Sequence, residues 1–220
     1  MKSLFNLDNP FFQMLSRVAD FILLNLLFIL CSLPVITLGA SLAGLHKVMQ
    51  DYVFDTDGQV YRRFFSAFKE NFKQATLVWL ITLVIILGLG ADLLLIQAYF
   101  TGTLATVMYV LLAILALLCI GILNFLFPLI VRYNNTLREH LFNAIILAIC
   151  KLPRTLLMCL ITVLPVLLLF FSPMTFVRTL VFWVFIGISF VVYIDNSILR
   201  PVFRELERVQ QGEGSVSIMK

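Results

Sequence analysis

Charged side chains are scarce in this 220-residue sequence. Only 13% of the residues are Asp, Glu, Lys or Arg, about half of the roughly 25% that is usual in soluble domains. No charged residue occurs between Thr103 and Val131. Because 61% of the residues are hydrophobic and the mean hydropathy is +1.03, polar groups could not cover a surface exposed to water. The scarcity of charge excludes an ordinary soluble fold and predicts an integral membrane protein.

Residue patterns that indicate catalysis or metal binding are also missing. The four cysteines form no Cys-x-x-Cys pair, and neither His46 nor His140 stands at ligand-like spacing from them. The sequence contains no Gly-x-Ser-x-Gly, His-Glu-x-x-His or phosphate-binding glycine loop. We therefore expect a protein that is not an enzyme, that holds no metal or cofactor and that does not bind nucleic acid.

Long apolar runs are what the sequence does contain, and they predict an all-α integral membrane protein. We expect a single polytopic domain over residues 1–220, built as a bundle of five transmembrane helices with amphipathic interfacial helices in its cytoplasmic loops. An interfacial segment over residues 1–17 precedes the bundle, and a cytoplasmic tail over residues 200–220 follows it. The predicted spans are about residues 18–45, 74–98, 104–131, 155–171 and 176–199.

The first apolar run is interrupted near its middle. A straight helix over this run would be about 42 Å long, whereas the hydrocarbon core of a bilayer is about 30 Å thick. Pro34 lacks a backbone N–H and disfavours helix at the residue before it, and Thr37 and Gly39 follow closely. Two structures fit this helix break: one long helix kinked at Pro34, which we favour, or two half-helices that form a re-entrant hairpin.

Basic residues are distributed unevenly between the loops. Thirteen of the sixteen Lys and Arg residues lie in residues 46–73, 132–154 and 200–220, whereas residues 172–178 contain one. Loops that are rich in basic residues stay in the cytoplasm. We therefore expect a cytoplasmic C-terminus. The N-terminus is outside if the chain makes five spans, and inside if the first run is a re-entrant hairpin.

The loop over residues 46–73 ends in an amphipathic segment. Its phenylalanines share one helical face, and basic residues are spread over the rest. Such a segment lies at the membrane interface, where it can contact anionic lipids, or it serves as a docking helix for a partner. Together with Arg138 in the later loop, the candidate docking residues are Arg62, Arg63, Phe64, Phe65, Phe68, Lys69, Phe72 and Lys73.

Two acidic residues within the spans are candidates for function, because an ionisable group is costly in lipid. Asp20 lies three residues after Arg17, so an ion pair that anchors the helix end is the simpler interpretation. Asp92 is the deepest candidate, and it could be a ligand-binding group. The simpler interpretation places it in the outer headgroup layer.

Amides within the spans need an explanation as well. Asn25 and Asn124 are expected to form hydrogen bonds between helices rather than to bind a substrate. Asp195 and Asn196 come near the end of the fifth span, where we interpret them as residues that cap the helix at the inner boundary.

Five segments of the chain together resemble the YesL-like family of small bacterial membrane proteins. These segments are Asn-Pro-Phe at residues 9–11, Leu-Pro-Val-Ile-Thr-Leu-Gly-Ala at 33–40, the amphipathic segment at 64–75, Arg-Tyr-Asn-Asn at 132–135 and Leu-Pro-Arg-Thr-Leu at 152–156. The family is a domain-of-unknown-function family, and its genes commonly lie beside those of ABC sugar importers. No catalytic residue is implied by the resemblance.

The function that the resemblance implies is an accessory one. We expect a non-enzymatic membrane subunit that is associated with a carbohydrate (oligosaccharide) ABC import system in the bacterial cell membrane. Its partners would be the permease or ATPase subunits, the lipid bilayer and anionic lipids. The alternative is an autonomous small-molecule transporter or channel, which would require a continuous polar path through the bundle.

Overall fold

The computed structural model describes residues 10–56, 58–171 and 173–210, and every regular element within these ranges is helical. A 3₁₀ turn over Val35–Thr37 follows the first helix, and a π-helical segment over Trp183–Gly187 precedes the last. The α-helices are α1 (Pro10–Ser32), α2 (Leu38–Val53), α3 (Val60–Glu70), α4 (Phe72–Tyr99), α5 (Gly102–Arg132), α6 (Leu137–Cys150), α7 (Leu152–Phe171), α8 (Pro173–Phe182) and α9 (Ile188–Gln210).

Four helical stretches in the described residues are long and apolar enough to cross a membrane. They are Met14–Ser32, Phe72–Tyr99, Gly102–Arg132 and Val177–Val209. A fifth span results if Leu137–Cys150 and Leu152–Pro165, which meet at an angle of 102°, are counted as one broken helix. The predicted fold class, an all-α membrane bundle, is confirmed.

The helix boundaries differ from the predicted ones at both ends of the chain. Helix α1 runs without a break from Pro10, so residues 10–17 are continuous with the first helix. Helix α9 continues to Gln210, and Val202 and Phe203 are fully buried. The first part of the predicted tail is therefore a packed helix. The rest of the two predicted end segments, residues 1–9 and 211–220, lies outside the described residues.

The helix break lies where the sequence predicts it, and its backbone is satisfied by side chains. The Thr37 hydroxyl donates to the carbonyl oxygens of Cys31 at 2.6 Å and Pro34 at 2.7 Å. The indole N–H of Trp79 on α4 donates to the carbonyl oxygen of Val35 at 2.7 Å. Because lipid offers no hydrogen bonds to an interrupted backbone, these side chains make the break tolerable within a bilayer.

Helices α1 and α2 fold back on each other and form a helical hairpin. The phenol of Tyr52, near the end of α2, donates a hydrogen bond to the carboxylate of Asp20 on α1. The rings of Phe21 and Tyr52 lie 5.9 Å apart, and Leu24 shares a buried cluster with Met49. The kinked helix that we favoured is wrong, because the two helices form a hairpin. The alternative of two half-helices is met only in part, since α1 is long and apolar enough to cross a membrane by itself.

Helix α2 lies at the centre of the bundle. Eleven of its sixteen residues are buried, and it packs against α1, α3, α4, α5 and α9. Two glycines allow this close packing: a Cβ at Gly39 would overlap the carbonyl oxygen of Ala75 on α4, and a Cβ at Gly44 would lie 2.9 Å from the carbonyl oxygen of Phe64 on α3. The second half of the predicted first span is therefore a core helix.

Substituting Gly39 by alanine should destabilise the bundle, because the new methyl group overlaps α4. We expect the free energy of unfolding to fall by about 1–3 kcal/mol, the usual cost of overpacking. Gly90→Ala on α4 is the matched control, since a Cβ there meets nothing within 4 Å. Unfolding in mixed detergent micelles measures both variants, and equal stability of the two would contradict the packing of α2 on α4.

Candidate functional site

Part of the phenylalanine-rich side of the amphipathic segment packs inside the protein. Phe64 is fully buried on α3, with its ring against the position of Gly44. Phe68 is half-buried and packs on the cluster that contains Leu45 and Phe64. Of the predicted docking residues, these two are core residues, because the apolar face of α3 is used to bind α2.

Arg63 is also occupied by contacts within the chain. Its guanidinium lies 2.8 Å from Asp51 on α2 and donates to the carbonyl oxygen of Thr56 at 3.0 Å. Lys47 lies 3.5 Å from the same Asp51 carboxylate. Arg63 therefore links α3 to the end of α2 and to the segment that follows α2.

The remaining docking candidates are exposed. Phe65 and Phe72 are 38% and 37% exposed, and Arg62, Lys69, Lys73 and Arg138 are exposed as well. The side chain of Gln74 donates to the carbonyl oxygen of Asn135 at 3.1 Å, which connects the α3–α4 junction to the loop between α5 and α6. The two loops that we predicted to be cytoplasmic therefore meet.

We call the place where these loops meet the loop-junction surface. It comprises Lys69, Phe72 and Lys73 on one side and Tyr133 and Asn135 on the other, around an open groove of about 840 Å³. Arg138 lies apart from it, in the first turn of α6, where Thr136 and Glu139 form a capping box. Aromatic side chains such as Phe72 and Tyr133 are enriched at surfaces that bind other proteins.

Asn25 is fully buried and bonds to the π-helical segment before α9. Its amide nitrogen donates to the carbonyl oxygens of Trp183 at 3.0 Å and Val184 at 2.6 Å, and its amide oxygen accepts from the backbone N–H of Ser189 at 2.9 Å. A π-helical segment shifts the backbone hydrogen-bond pattern, and Asn25 satisfies the groups concerned. The prediction that Asn25 bonds between helices is confirmed.

The two acidic candidates lie far from a common site. The described hydrogen bond of Asp20 is the one with Tyr52, and no ion pair joins Asp20 to Arg17 within the described residues. Burial, followed by the bond to Asp20, raises the pKa of Tyr52 above its ordinary value. Asp92 is exposed on α4 and lines no described cavity. The two residues do not form a polar path through the bundle.

A partly open cavity of about 340 Å³ lies between α2, α5, α7 and the last helix with its π-helical segment. Most of its lining is aliphatic or aromatic, including Leu42, Phe127 and Val192. Polar groups meet there from all four elements: His46, Asn124, Thr162, Trp183 and Asp195. An apolar pocket with a few convergent polar groups is the usual form of a small-molecule site.

Asp195 and Asn196 belong to this part of the core and do not cap a helix. Both are buried, and α9 continues for fourteen residues beyond Asn196. The amide nitrogen of Asn196 lies 3.1 Å from Nδ1 of His46 and donates to the carbonyl oxygen of Val192 at 2.7 Å. Our interpretation of these residues as inner-boundary caps is wrong, since the helix does not end there.

His46 and Asn124 complete the polar part of the cavity. The His46 imidazole is buried, and its Nδ1 lies 3.1 Å from the amide nitrogen of Asn196. Its ring stacks on Phe127 with centroids 6.2 Å apart. Asn124 accepts a hydrogen bond from Thr162 on α7 at 3.4 Å, so this amide also bonds between helices, as predicted.

Sequence reasoning missed the cavity because its polar residues are dispersed. His46 and Asn196 are 150 residues apart, and no spacing rule connects them. The only available signal was an acidic residue next to an amide within an apolar run. The described residues contain no group of three or more His, Cys, Asp or Glu side chains that could hold a metal, and the four cysteines are free.

Comparison with known proteins yields one family. The model of the family described as "Protein of unknown function, DUF624" matches residues 21–93, which cover the α1–α2 hairpin from Phe21, α3 and most of α4. Over this region the chain is similar to a family of proteins of unknown function. No curated protein and no solved structure matches the chain.

Replacing Asn25 by leucine should destabilise the protein more than replacing Asn124 by leucine. Asn25 forms three hydrogen bonds to backbone groups of the last helix, and interhelical bonds in membranes are worth about 0.6 kcal/mol each. We expect a loss of roughly 2 kcal/mol for Asn25→Leu and less than about 1 kcal/mol for Asn124→Leu. Thermal unfolding in detergent measures both; the reverse order would contradict the assignment of Asn25.

Proposed function

We propose that this chain is a non-enzymatic accessory subunit of a carbohydrate (oligosaccharide) ABC import system in the bacterial cell membrane. The resemblance to the YesL-like family supports this proposal, and two of the five segments that carry the resemblance lie inside the region matched by the family of unknown function. The observation that carries it is the loop-junction surface, where two separate basic loops form one exposed, partly aromatic surface.

The loop-junction surface is suited to a partner for two reasons. The exposed Phe65 and Phe72 offer apolar area, and Lys69 and Lys73 add positive charge beside Glu70. The support beneath it is rigid, because α3 is fixed to α2 through buried Phe64 and the Arg63–Asp51 ion pair. A preordered surface loses little conformational entropy on binding.

The orientation that we propose places this surface in the cytoplasm. The basic loops indicate that side, and the hairpin brings the start of α1 next to the end of α2. An ion pair of 3.5 Å between Asp55 and Arg200 links α9 to the same region. Both ends of the chain are then cytoplasmic, and the surface faces the part of an importer where permease loops contact the ATPase.

An affinity purification tests the proposal. The tagged chain is extracted from native membranes in mild detergent, and co-purifying proteins are quantified by mass spectrometry. We expect permease and ATPase subunits of a sugar importer in near-equal amount. Recovery of the chain without any importer subunit would refute the accessory function.

Substitutions in the loop-junction surface and beside it should release the partner. We expect Phe65→Ala to reduce co-purified importer by about tenfold, the usual effect of losing an aromatic interface anchor. The double variant Lys69→Glu, Lys73→Glu should have an effect in the same direction. Arg178→Glu is the charge control, since Arg178 is exposed on α8 in the loop predicted to face outside. If Arg178→Glu reduced the amount of co-purified importer equally, the effect of the lysine substitutions would be due to charge alone.

A second candidate is an autonomous small-molecule transporter. The cavity between α2, α5, α7 and the last helix favours it, because a few polar groups meet there. The two candidates differ in whether the chain acts alone. Proteoliposomes that contain only this chain should take up neither labelled oligosaccharides nor small amines if it is an accessory subunit. Uptake that is lost with Asp195→Asn and retained with Asp92→Asn would support the transporter instead.

A further inference from the structure

Three buried polar atoms around the cavity have no hydrogen-bond partner within the described residues. They are Oδ1 of Asp195, Nδ2 of Asn124 and Nε1 of Trp183. All three residues line the same cavity, although they come from α9, α5 and the π-helical segment. Asp195 is 4% exposed, so bulk solvent does not satisfy its carboxylate. Buried polar groups are almost always paired, and here one acceptor and two donors without a partner belong to residues that line one cavity.

The charged residues near Asp195 do not neutralise its carboxylate. Arg200, which lies further along α9, pairs with Asp55, and no ion pair of Asp195 occurs in the described residues. His46 is buried, and its Nδ1 contacts the amide of Asn196. A carboxylate in an apolar cavity without a basic partner is costly, and a cation that binds beside it offsets part of this cost.

We propose that the cavity binds a small organic ammonium ion that has an apolar body and one oxygen acceptor. The ammonium group donates to the Asp195 carboxylate, and the oxygen accepts from Asn124 or Trp183. The aliphatic and aromatic wall, including Phe127 and Val192, contacts the apolar body. Charge-assisted hydrogen bonds of this kind are the strong ones, and they gain strength when water is excluded.

The shape and chemistry of the cavity restrict the ligand further. Its volume of about 340 Å³ is at the lower end of the range for small-molecule sites. A sugar or another polyol carries hydroxyl groups on all sides, and most of them would face apolar side chains without partners. A divalent metal requires more ligands than one carboxylate and one imidazole. A monovalent amine with a compact apolar body can pair with the Asp195 carboxylate and contact the apolar side chains of the wall.

The position of Trp183 depends on two contacts outside the cavity. Asn25 on α1 holds the carbonyl group of Trp183 itself through a 3.0 Å hydrogen bond. Gly187, one turn later, leaves room for the indole, because a Cβ there would lie 3.0 Å from Cδ2 of Trp183. Asn25 is therefore a positioning residue for the wall of the binding site, although it does not touch the ligand.

Binding of 2-phenylethylamine to the purified chain in nanodiscs tests the proposal. We add 2-phenoxyethylamine, which includes the oxygen acceptor, and 2-phenylethanol, a neutral molecule of nearly the same shape as 2-phenylethylamine. Tritiated 2-phenylethylamine measures affinity on the unmodified chain. Tryptophan fluorescence gives a second signal, since the chain has only two tryptophans and Trp183 lines the cavity.

We expect saturable binding of both amines, with 2-phenoxyethylamine the tighter of the two. 2-Phenylethanol should bind at least about tenfold more weakly than 2-phenylethylamine, which is the effect of losing a charged hydrogen bond. Asp195→Asn should weaken amine binding by about the same factor. Asp92→Asn is the matched control and should bind like the unmodified chain, because Asp92 is exposed and outside the cavity.

Three results would overturn the proposal: no saturable binding of either amine, equal affinity for amine and alcohol, or unchanged affinity in Asp195→Asn. The last two would indicate a cavity for neutral molecules or for water. The thermal stability of Asp195→Asn shows whether this variant is folded. We expect it to be preserved or increased, since the substitution removes an unpaired buried charge. Amine binding does not depend on the accessory function, because the purified chain is tested without any importer subunit.

Discussion

The fold depends on one constraint: within lipid, every backbone group must find its partner inside the protein. The helices are interrupted after Ser32 and at Trp183–Gly187, and at these two places side chains replace missing backbone bonds. Thr37 and Trp79 satisfy the carbonyl oxygens at the first interruption, and Asn25 satisfies the second. Because Trp79 and Asn25 reach across from other helices, each interruption also joins two helices of the bundle.

The first interruption determines where α2 lies. Helix α2 in turn positions α3 and the loop-junction surface, which we propose to be cytoplasmic. By folding back on α1, the chain places a glycine-containing helix at the centre of the bundle. Buried α2 then binds the apolar face of α3, which orders the segment that leads to Lys73. The exposed side of that segment meets the loop after α5 through the Gln74–Asn135 bond. The loop-junction surface is thus a consequence of the break at Pro34.

The second interruption forms part of the wall of the cavity. The π-helical segment places Trp183 at the cavity wall, and Asn25 holds it there through its backbone carbonyl group. Asp195 follows two turns into α9. The loop-junction surface and the cavity therefore involve different residues. A partner bound to the loop-junction surface does not obstruct a ligand in the cavity. Both are connected through α2, which contributes His46 to the cavity and packs against α3.

Composition and apolar run length alone determined the membrane class, the helical fold and the location of α4 and α5 to within two residues at each end. A break at Pro34 followed from the chemistry of proline. Only the tertiary structure decided that the break forms a hairpin, that Phe64 and Phe68 face inward and that Asp195 lines a cavity. The physical reason is the range of the interactions: backbone propensity and hydropathy act locally, whereas His46 and Asn196 meet across 150 residues through packing that no local pattern records.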